Sequence, residues 1–371
     1  MRPDRLYVHP RSRWRPILLL IGLLASGCAL VILVVVAVAL VRAAPHPAGR
    51  LLTAQAVSPT RGANINRRLP GPSSVRKDDT ATPPPTAAPS PTAKPTAPLT
   101  STLQPAPLTG STHFILSRPV GPNATGLVPD WTYLYGDTQH GKLEVHHGEE
   151  FVNPIGTPVL AVAEGTVVTA GDDKFPLCGP DGAELCGPYR DFYGNLVVLK
   201  LDQTFDAQSI FALCGHMDTV GVQVGQHVQT GDPLGTIGMT GIAVGPHCHF
   251  EVRLGVNDYD HTRNPILWMK PLSGRGAIAG RVLDRAGNLL PGLNVYLYLD
   301  NATEDWVMDT ETYGHDQYPP VNPDDRWHEN WALGDLPAGR YLVRVQIGQT
   351  NYYQHIPVED GQLTFATFRE Q

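Results

Sequence analysis

Over residues 17–41 the chain is uncharged and almost continuously apolar. As a helix rising 1.5 Å per residue, such a run spans roughly 37 Å, enough to cross a bilayer with some tilt, and it predicts one N-terminal transmembrane helix over residues 16–42. Arg2, Arg5, Arg11, Arg13 and Arg15 precede it, whereas only Arg42 and Arg50 follow closely. This basic bias makes residues 1–15 a cytoplasmic tail and puts everything after Arg42 outside the cytoplasm. A cleaved signal peptide and, through Ala25-Ser26-Gly27-Cys28, a lipoprotein anchor are the rivals. Both fit poorly, because apolar residues continue well past Cys28, where a cleavage region should already have ended the run.

Over residues 43–111 the apolar pattern disappears. Pro, Thr, Ala and Ser dominate, with Pro83-Pro84-Pro85 and repeated Pro-Thr pairs, so this stretch lacks the side chains to bury a core. It reads as an extended, disordered linker. From residue 112 onward the chain is dense in Gly-bounded, β-branched segments with almost no helical periodicity, which predicts a mainly β fold. Residues 158–163, 166–170 and 196–201 are β runs. The clearest alternation comes later: His247, His249, Glu251 and Arg253 face one way, and Cys248, Phe250, Val252 and Leu254 the other. Two imidazoles therefore share a polar face whose back is anchored in the core. A second β region, 273–371, follows, with alternating strands at Ile278, Gly280 and Val282, at Leu293, Val295, Leu297 and Leu299, and at Tyr341, Val343 and Val345.

Charge and cysteine content narrow the class. The net charge is -7, and the basic residues gather near the N-terminus. That excludes nucleic acid as a partner, because a phosphate-binding surface needs clustered Lys and Arg. Five cysteines are too few for a disulfide scaffold. Cys178 and Cys186 flank one short Gly/Pro-rich segment, and two readings stay open: a closed loop in an oxidising compartment, or two free thiols.

The chemistry-bearing residues point to a metal. A catalytic zinc site takes three protein ligands and keeps one position open. His146 and Glu150 lie four apart around Gly148, on one face of an extended backbone, and His249 supplies a third ligand. Imidazoles with one carboxylate suit Zn2+ better than calcium or magnesium, which prefer all-oxygen shells. His247 and His216 are then spare imidazoles for proton transfer or for stabilising an oxyanion. Each signal alone is weak, since His-x-His and His-x-x-x-Glu also arise by chance. His147 is expected to point away from His146, His227 to be solvated, and Glu251 and Arg253 either to orient ligands or to form an exposed ion pair.

The combination of motifs resembles peptidase family M23, the lysostaphin/LytM type. The resemblance rests on Tyr133-Leu134-Tyr135-Gly136, His146-His147-Gly148-Glu149-Glu150-Phe151, Gly156-Thr157-Pro158-Val159 and Ala163-Glu164-Gly165-Thr166-Val167. It continues through Tyr193-Gly194-Asn195, Gly215-His216-Met217, Gly225-Gln226-His227-Val228 and Gly238-Met239-Thr240-Gly241 to Gly245-Pro246-His247-Cys248-His249-Phe250-Glu251-Val252-Arg253 and Asn264-Pro265. The resemblance implies an antiparallel β peptidase domain over residues 112–272, of the duplicated hybrid type. In it His146, the carboxylate at 150 and His249 hold zinc, His247 is the general base, and His216 supports the transition state. It further implies peptide bonds of peptidoglycan, or related extracellular peptides, as substrate. Two departures stand out: the family's carboxylate ligand is normally Asp rather than Glu150, and Cys214 stands where relatives carry Tyr. In a regular strand Cys214 would share the face of His216; the plainer reading makes it a small space-filling hydrophobe.

Residues 273–371 resemble the transthyretin-like β-sandwich of carboxypeptidase regulatory-like domains, which implies no reaction but offers a surface for wall polymer or protein. The segment 303–330, rich in Asp, Trp, Tyr and His, reads as a long loop suited to binding. Trp306, Trp327 and Trp331 either stack on sugars or complete the core. Three functions are thus in play: an active zinc endopeptidase, a catalytically silent wall-binding or activator protein, and a lipoyl-type carrier. The last is poor, because no Lys occurs between Lys200 and Lys270 to carry a prosthetic group.

Overall fold

The structure, a computed structural model, describes residues 112–314 and 320–371. The expected tail, transmembrane helix and linker lie outside the described residues. Among the described residues no helix is long and apolar enough to cross a membrane.

The chain is mainly β, with two single-turn 3-10 helices, Tyr259–His261 and Pro265–Leu267, as the helical elements among the described residues. The first sheet uses β1 (Glu149–Val152), β2 (Pro158–Leu160), β3 (Gly165–Asp172), β4 (Asn195–Phe205), β5 (Gln208–Val220), β6 (His227–Val228), β7 (Pro233–Ile237), β8 (His247–Leu254) and β9 (Thr262–Arg263). Its main path is β1-β8-β5-β4-β3-β6, with β7 joining β5 to β2 and β9 beside β8, and every pairing is antiparallel. The central strands β4, β5 and β8 are buried on both faces through their middles. On β8 this includes the polar face, because its charged groups pair with one another.

The second region contains β10 (Arg275–Leu283), β11 (Asn294–Leu299), β12 (Trp306–Glu311), β13 (Trp331–Pro337), β14 (Gly339–Ile347), β15 (Thr350–Val358) and β16 (Leu363–Arg369). They form a three-stranded sheet, β13-β10-β16, and a four-stranded sheet, β12-β11-β14-β15. All pairs are antiparallel except β10 with β16. Apolar residues of both sheets, including Val282, Val295, Val343 and Phe368, share one buried cluster, which continues through Ile266 and Trp268 into the first region.

Two expectations change here. The segment 303–330 is not a free loop. It contains β12, and described residues beyond that strand dock onto the first region: Tyr313 packs edge-on against Tyr135 at 5.2 Å, Asn322 donates to the Asp260 and Thr262 carbonyls, and Asp325 pairs with Arg263 at 2.7 Å. Trp327 and Trp331 are core residues, while Trp306 stays 61% exposed.

Cysteine supplies the other correction. Cys214 and Cys248 form a disulfide, so Cys214 is neither a lone space-filler nor a neighbour of the site. The physical reason is a bulge: Asn195 opposes Met217 and Val197 opposes Cys214, so β5 carries one more residue than β4, and the face parity is reset before His216. Cys178 and Cys186 are also bonded, closing their loop.

Candidate metal centre

Strand β8 lies between β1 and β5, and the register sets the site. His249 stands directly opposite Glu150 on one side and Gly215 on the other. Directly opposed side chains share a face with Cβ atoms about 5 Å apart, so Glu150 and His249 must meet. His216 follows Gly215 at the bulge with φ 59°, a left-handed backbone that turns its ring toward the same face. Gly215 itself is required for close packing, because a Cβ there would come within 2.9 Å of the Tyr193 ring. Gly148 has the same role below His249, whose ring would sit 2.8 Å from an added Cβ.

All five predicted site residues come together. His146 Nε2 lies 2.8 Å from Glu150 Oε1 and 3.2 Å from His249 Nδ1, which is 3.0 Å from the same oxygen. His247 Nε2 approaches Glu150 Oε2 at 2.5 Å, and its ring is 4.7 Å from that of His216. His247 Nδ1 donates to the Gly245 carbonyl and His216 Nδ1 to that of Thr240, which leaves His216 Nε2 a lone pair, whereas His247 Nε2 is engaged with Glu150 Oε2. Glu149, next in sequence, points elsewhere: it accepts from the Tyr135 amide, and burial pushes its carboxyl well above the usual range.

Behind the ligands is a fully buried relay. Glu251 Oε1 accepts from His249 Nε2 at 3.1 Å and from the Tyr193 hydroxyl, and Glu251 Oε2 meets Arg253 Nε at 2.8 Å. Arg253 also donates to Tyr193, Asn257 and the Cys186 carbonyl. Both side chains are 0% exposed, so the exposed-pair reading of Glu251 and Arg253 gives way to the orienting one. On the other side, Tyr133 stacks on His146 with centroids 4.0 Å apart.

The donor set fits a zinc ion. With Glu251 taking the proton of His249 Nε2, His249 Nδ1 is a bare lone pair facing Glu150 Oε1, and His146 Nε2 converges on the same point. Three electron-rich atoms at 2.8 to 3.2 Å repel unless a cation or proton sits among them. Ligands of a tetrahedral zinc lie about 3.3 Å apart, so the cluster needs only slight opening. Without metal, a proton takes this role. Burial opposes charge on His249, but Glu150 and Glu251 outweigh it and raise its pKa to about 10. Burial likewise opposes ionisation of Glu150, yet His249 and hydrogen bonds from three imidazoles hold it well below the ordinary carboxylate range. Burial, reinforced by His249 and His247, drives His216 down to about 3, so it is a neutral base.

His147 and His227 lie apart from the cluster. His147 stacks on Tyr259 and bonds Thr262, away from the cluster. His227 is exposed and bonds Asp202 at 2.8 Å.

The comparisons with known proteins converge on this region. Residues 144–262 match peptidase family M23. All five site residues fall within the M23 span, whereas β10 to β16 lie beyond it. Over 111 residues the chain is 29% identical to ShyC, a peptidoglycan DD-endopeptidase of Vibrio cholerae, covering 30% of this chain and 21% of the relative. It is 27% identical over 139 residues to lysostaphin of Staphylococcus staphylolyticus, covering 37% of this chain and 24% of that protein. It is 32% identical over 107 residues to ShyA, another DD-endopeptidase of Vibrio cholerae, covering 29% and 20%. The chain thus spans less than a quarter of the length of these relatives.

Reading the sequence alone gave no role to Tyr193, Tyr133 or the Cys214–Cys248 bond. The tyrosines were visible only as parts of motifs. For the disulfide a signal was present: two cysteines flanking Gly215-His216 and the His-x-His strand, in a chain expected outside the cytoplasm.

Proposed function

We propose that this chain is a zinc-dependent endopeptidase of the M23 type that hydrolyses peptide bonds of peptidoglycan, anchored by residues 16–42 with its folded part outside the cytoplasm. The observation that carries this is the convergence of His146 Nε2, Glu150 Oε1 and His249 Nδ1 on one point. The names of the relatives supply the substrate class, and the two disulfides fit an oxidising compartment. The second region is assigned as a transthyretin-like module.

His146, Glu150 and His249 would hold the zinc ion, which would supply Lewis acidity toward a peptide carbonyl and lower the pKa of a bound water. Glu251, through His249 Nε2, keeps the Nδ1 lone pair aimed inward. His247 and His216 are each tied by Nδ1 to a backbone carbonyl; His216 offers a free Nε2, and His247 Nε2 becomes available once Glu150 Oε2 moves off it. The one that takes a proton becomes a cationic donor, able to hold the developing oxyanion or protonate the leaving amine.

A second reading, a silent wall-binding protein, rests on one contact: Glu150 Oε2 occupies the Nε2 of the intended base, His247. The full chain, assayed for metal content by mass spectrometry and for cleavage of pentaglycine and stem peptides, separates the two. One zinc per chain with turnover supports the peptidase; zinc without turnover selects the silent protein. A chain that neither binds zinc nor cuts any such peptide would sink the peptidase reading.

A further inference from the structure

Where the two regions meet, a cleft of about 400 Å³ opens between the 131–142 loop of the first and β12 of the second. That size is within the range of small-ligand sites. Its walls include the indoles of Trp131 and Trp306, the carboxylates of Asp137 and Asp309, and the basic side chains of His140 and Lys142. Trp306 is 61% exposed, the only one of the three second-region tryptophans not used in the core.

The cleft is built rather than incidental. His140, its side chain 53% exposed, bridges the loop to β11 and β12: Nδ1 lies 3.0 Å from Asn294 Oδ1 and 3.4 Å from Glu311, and Nε2 is 3.5 Å from Asp309. Glu311 accepts from the Thr138 and His140 amides at 2.7 and 3.0 Å, locking the loop to β12. The same loop leads to the candidate centre, since His146 N donates to the Asp137 carbonyl and Tyr133, two residues after Trp131, stacks on His146.

We infer that this cleft is a saccharide subsite, which seats a pyranose ring of the wall glycan beside the peptidase centre. Indole faces stack on the C–H faces of a sugar, and carboxylate, amide and ammonium groups around them pair with its hydroxyls and acetamido group. The lining does not favour the alternative, a cationic peptide side chain: Lys142 shares the cleft with the two carboxylates and His140 already engages Asp309 at 3.5 Å, so the seat is not purely anionic. A neutral, polyhydroxylated ligand suits this balance. Naming an N-acetylated wall glycan rests on the peptidoglycan-peptidase reading; a sugar seat as such does not.

The test is titration of the full chain with chitotetraose, a peptide-free N-acetylglucosamine tetrasaccharide, followed by tryptophan fluorescence and calorimetry. Saturable binding is expected, weakened about tenfold or more by Trp306→Ala and largely retained by Trp306→Tyr. Both variants alter an exposed side chain, so folding is preserved and circular dichroism checks it. Absence of binding, or equal binding by Trp306→Ala, overturns the subsite. Binding of tetralysine in preference to the sugar at the same cleft overturns its assignment to saccharide. The titration uses chain stripped of metal by EDTA, so failure to bind sugar counts against the cleft alone. Failure of the metal-loaded chain to cut peptides counts against the peptidase reading alone.

Discussion

Two groups of side chains in this molecule have nearly the same inventory. His146, Glu150 and His249 bring their ligand atoms within 4.8 Å of one another, and so do Glu164, Asp202 and His227. Their surroundings differ. In the first, both histidines are 4% exposed, on strands whose register fixes them, and Glu251 fixes the ring of His249 from behind. In the second, the His227 and Asp202 side chains are 45% and 49% exposed, and the ring meets only exposed carboxylates, Asp202 at 2.8 Å and Glu164 at 4.0 Å. Asp202 raises the His227 pKa through a hydrogen bond, as an exposed ion pair does. What sets the candidate centre apart is therefore the pre-orientation and dehydration of its lone pairs rather than its residue types.

Removing one imidazole from each group gives the largest contrast. His249→Ala is expected to abolish zinc retention and lower turnover by about a thousandfold or more, because no neighbouring donor can replace Nδ1. His227→Ala should leave zinc content and rate at the wild-type level. Equal losses in the two variants, measured by metal analysis and peptide cleavage, would erase the distinction.

Next comes the relay. Glu251→Gln leaves a hydrogen-bond acceptor for His249 but strands Arg253, a fully buried cation. Breaking such a pair costs about 3–5 kcal/mol, visible in the denaturation midpoint. Metal affinity should fall by about 10- to 100-fold as His249 loses its negative partner. A variant with lowered stability but wild-type zinc affinity would show that the relay only holds the sheet together.

A smaller effect is expected at Glu150. Its extra methylene, relative to the Asp usual in the M23 resemblance, lets Oε2 reach His247 Nε2 at 2.5 Å. Glu150→Asp draws that oxygen back and frees the base, so turnover should rise about tenfold at unchanged zinc content. A rate that stays the same or drops would mean that Glu is the fitting ligand here.

Much of the centre could be read from local pattern. The period of two in residues 247–254 put His247 and His249 on one face, and the spacing of His146 and Glu150 paired them, because strand parity is a property of neighbouring residues. The facing of Glu150 and His249 depended on which strands adjoin, and only the family resemblance carried that. Where parity reasoning failed, at Cys214, a single inserted residue in β5 had reversed it. The segment 303–330 failed for a different reason: its polar and aromatic composition fits a solvated loop as well as an interface whose partner, around Tyr135 and Arg263, lies far away in sequence. Tyr193 was missed likewise, since its bond to Glu251 joins residues from distant strands.

The finest test of what surrounds a carboxylate comes from Glu329. Glu251 and Glu329 are both 0% exposed, but Glu251 has Arg253 and His249 beside it and is held at about 2, whereas burial and then Asp324 raise Glu329 to about 7. Glu329 accepts from the Tyr313 hydroxyl at 2.6 Å and from the Asp324 amide at 3.1 Å, bonds that a neutral acid or an amide oxygen can also accept. Its folded pKa lies above the ordinary 4.5. The folded state therefore favours the protonated form, and the stability that this gives is full below about pH 4.5 and lost as pH rises through about 7. Glu329→Gln, permanently neutral, should remove that decline. Between pH 5 and pH 8.5 the wild type is expected to lose about 2–3 kcal/mol more than the variant, read as diverging denaturation midpoints. Parallel curves over that range would mean that Glu329 finds a compensating cation or water, and that burial alone does not separate the two glutamates.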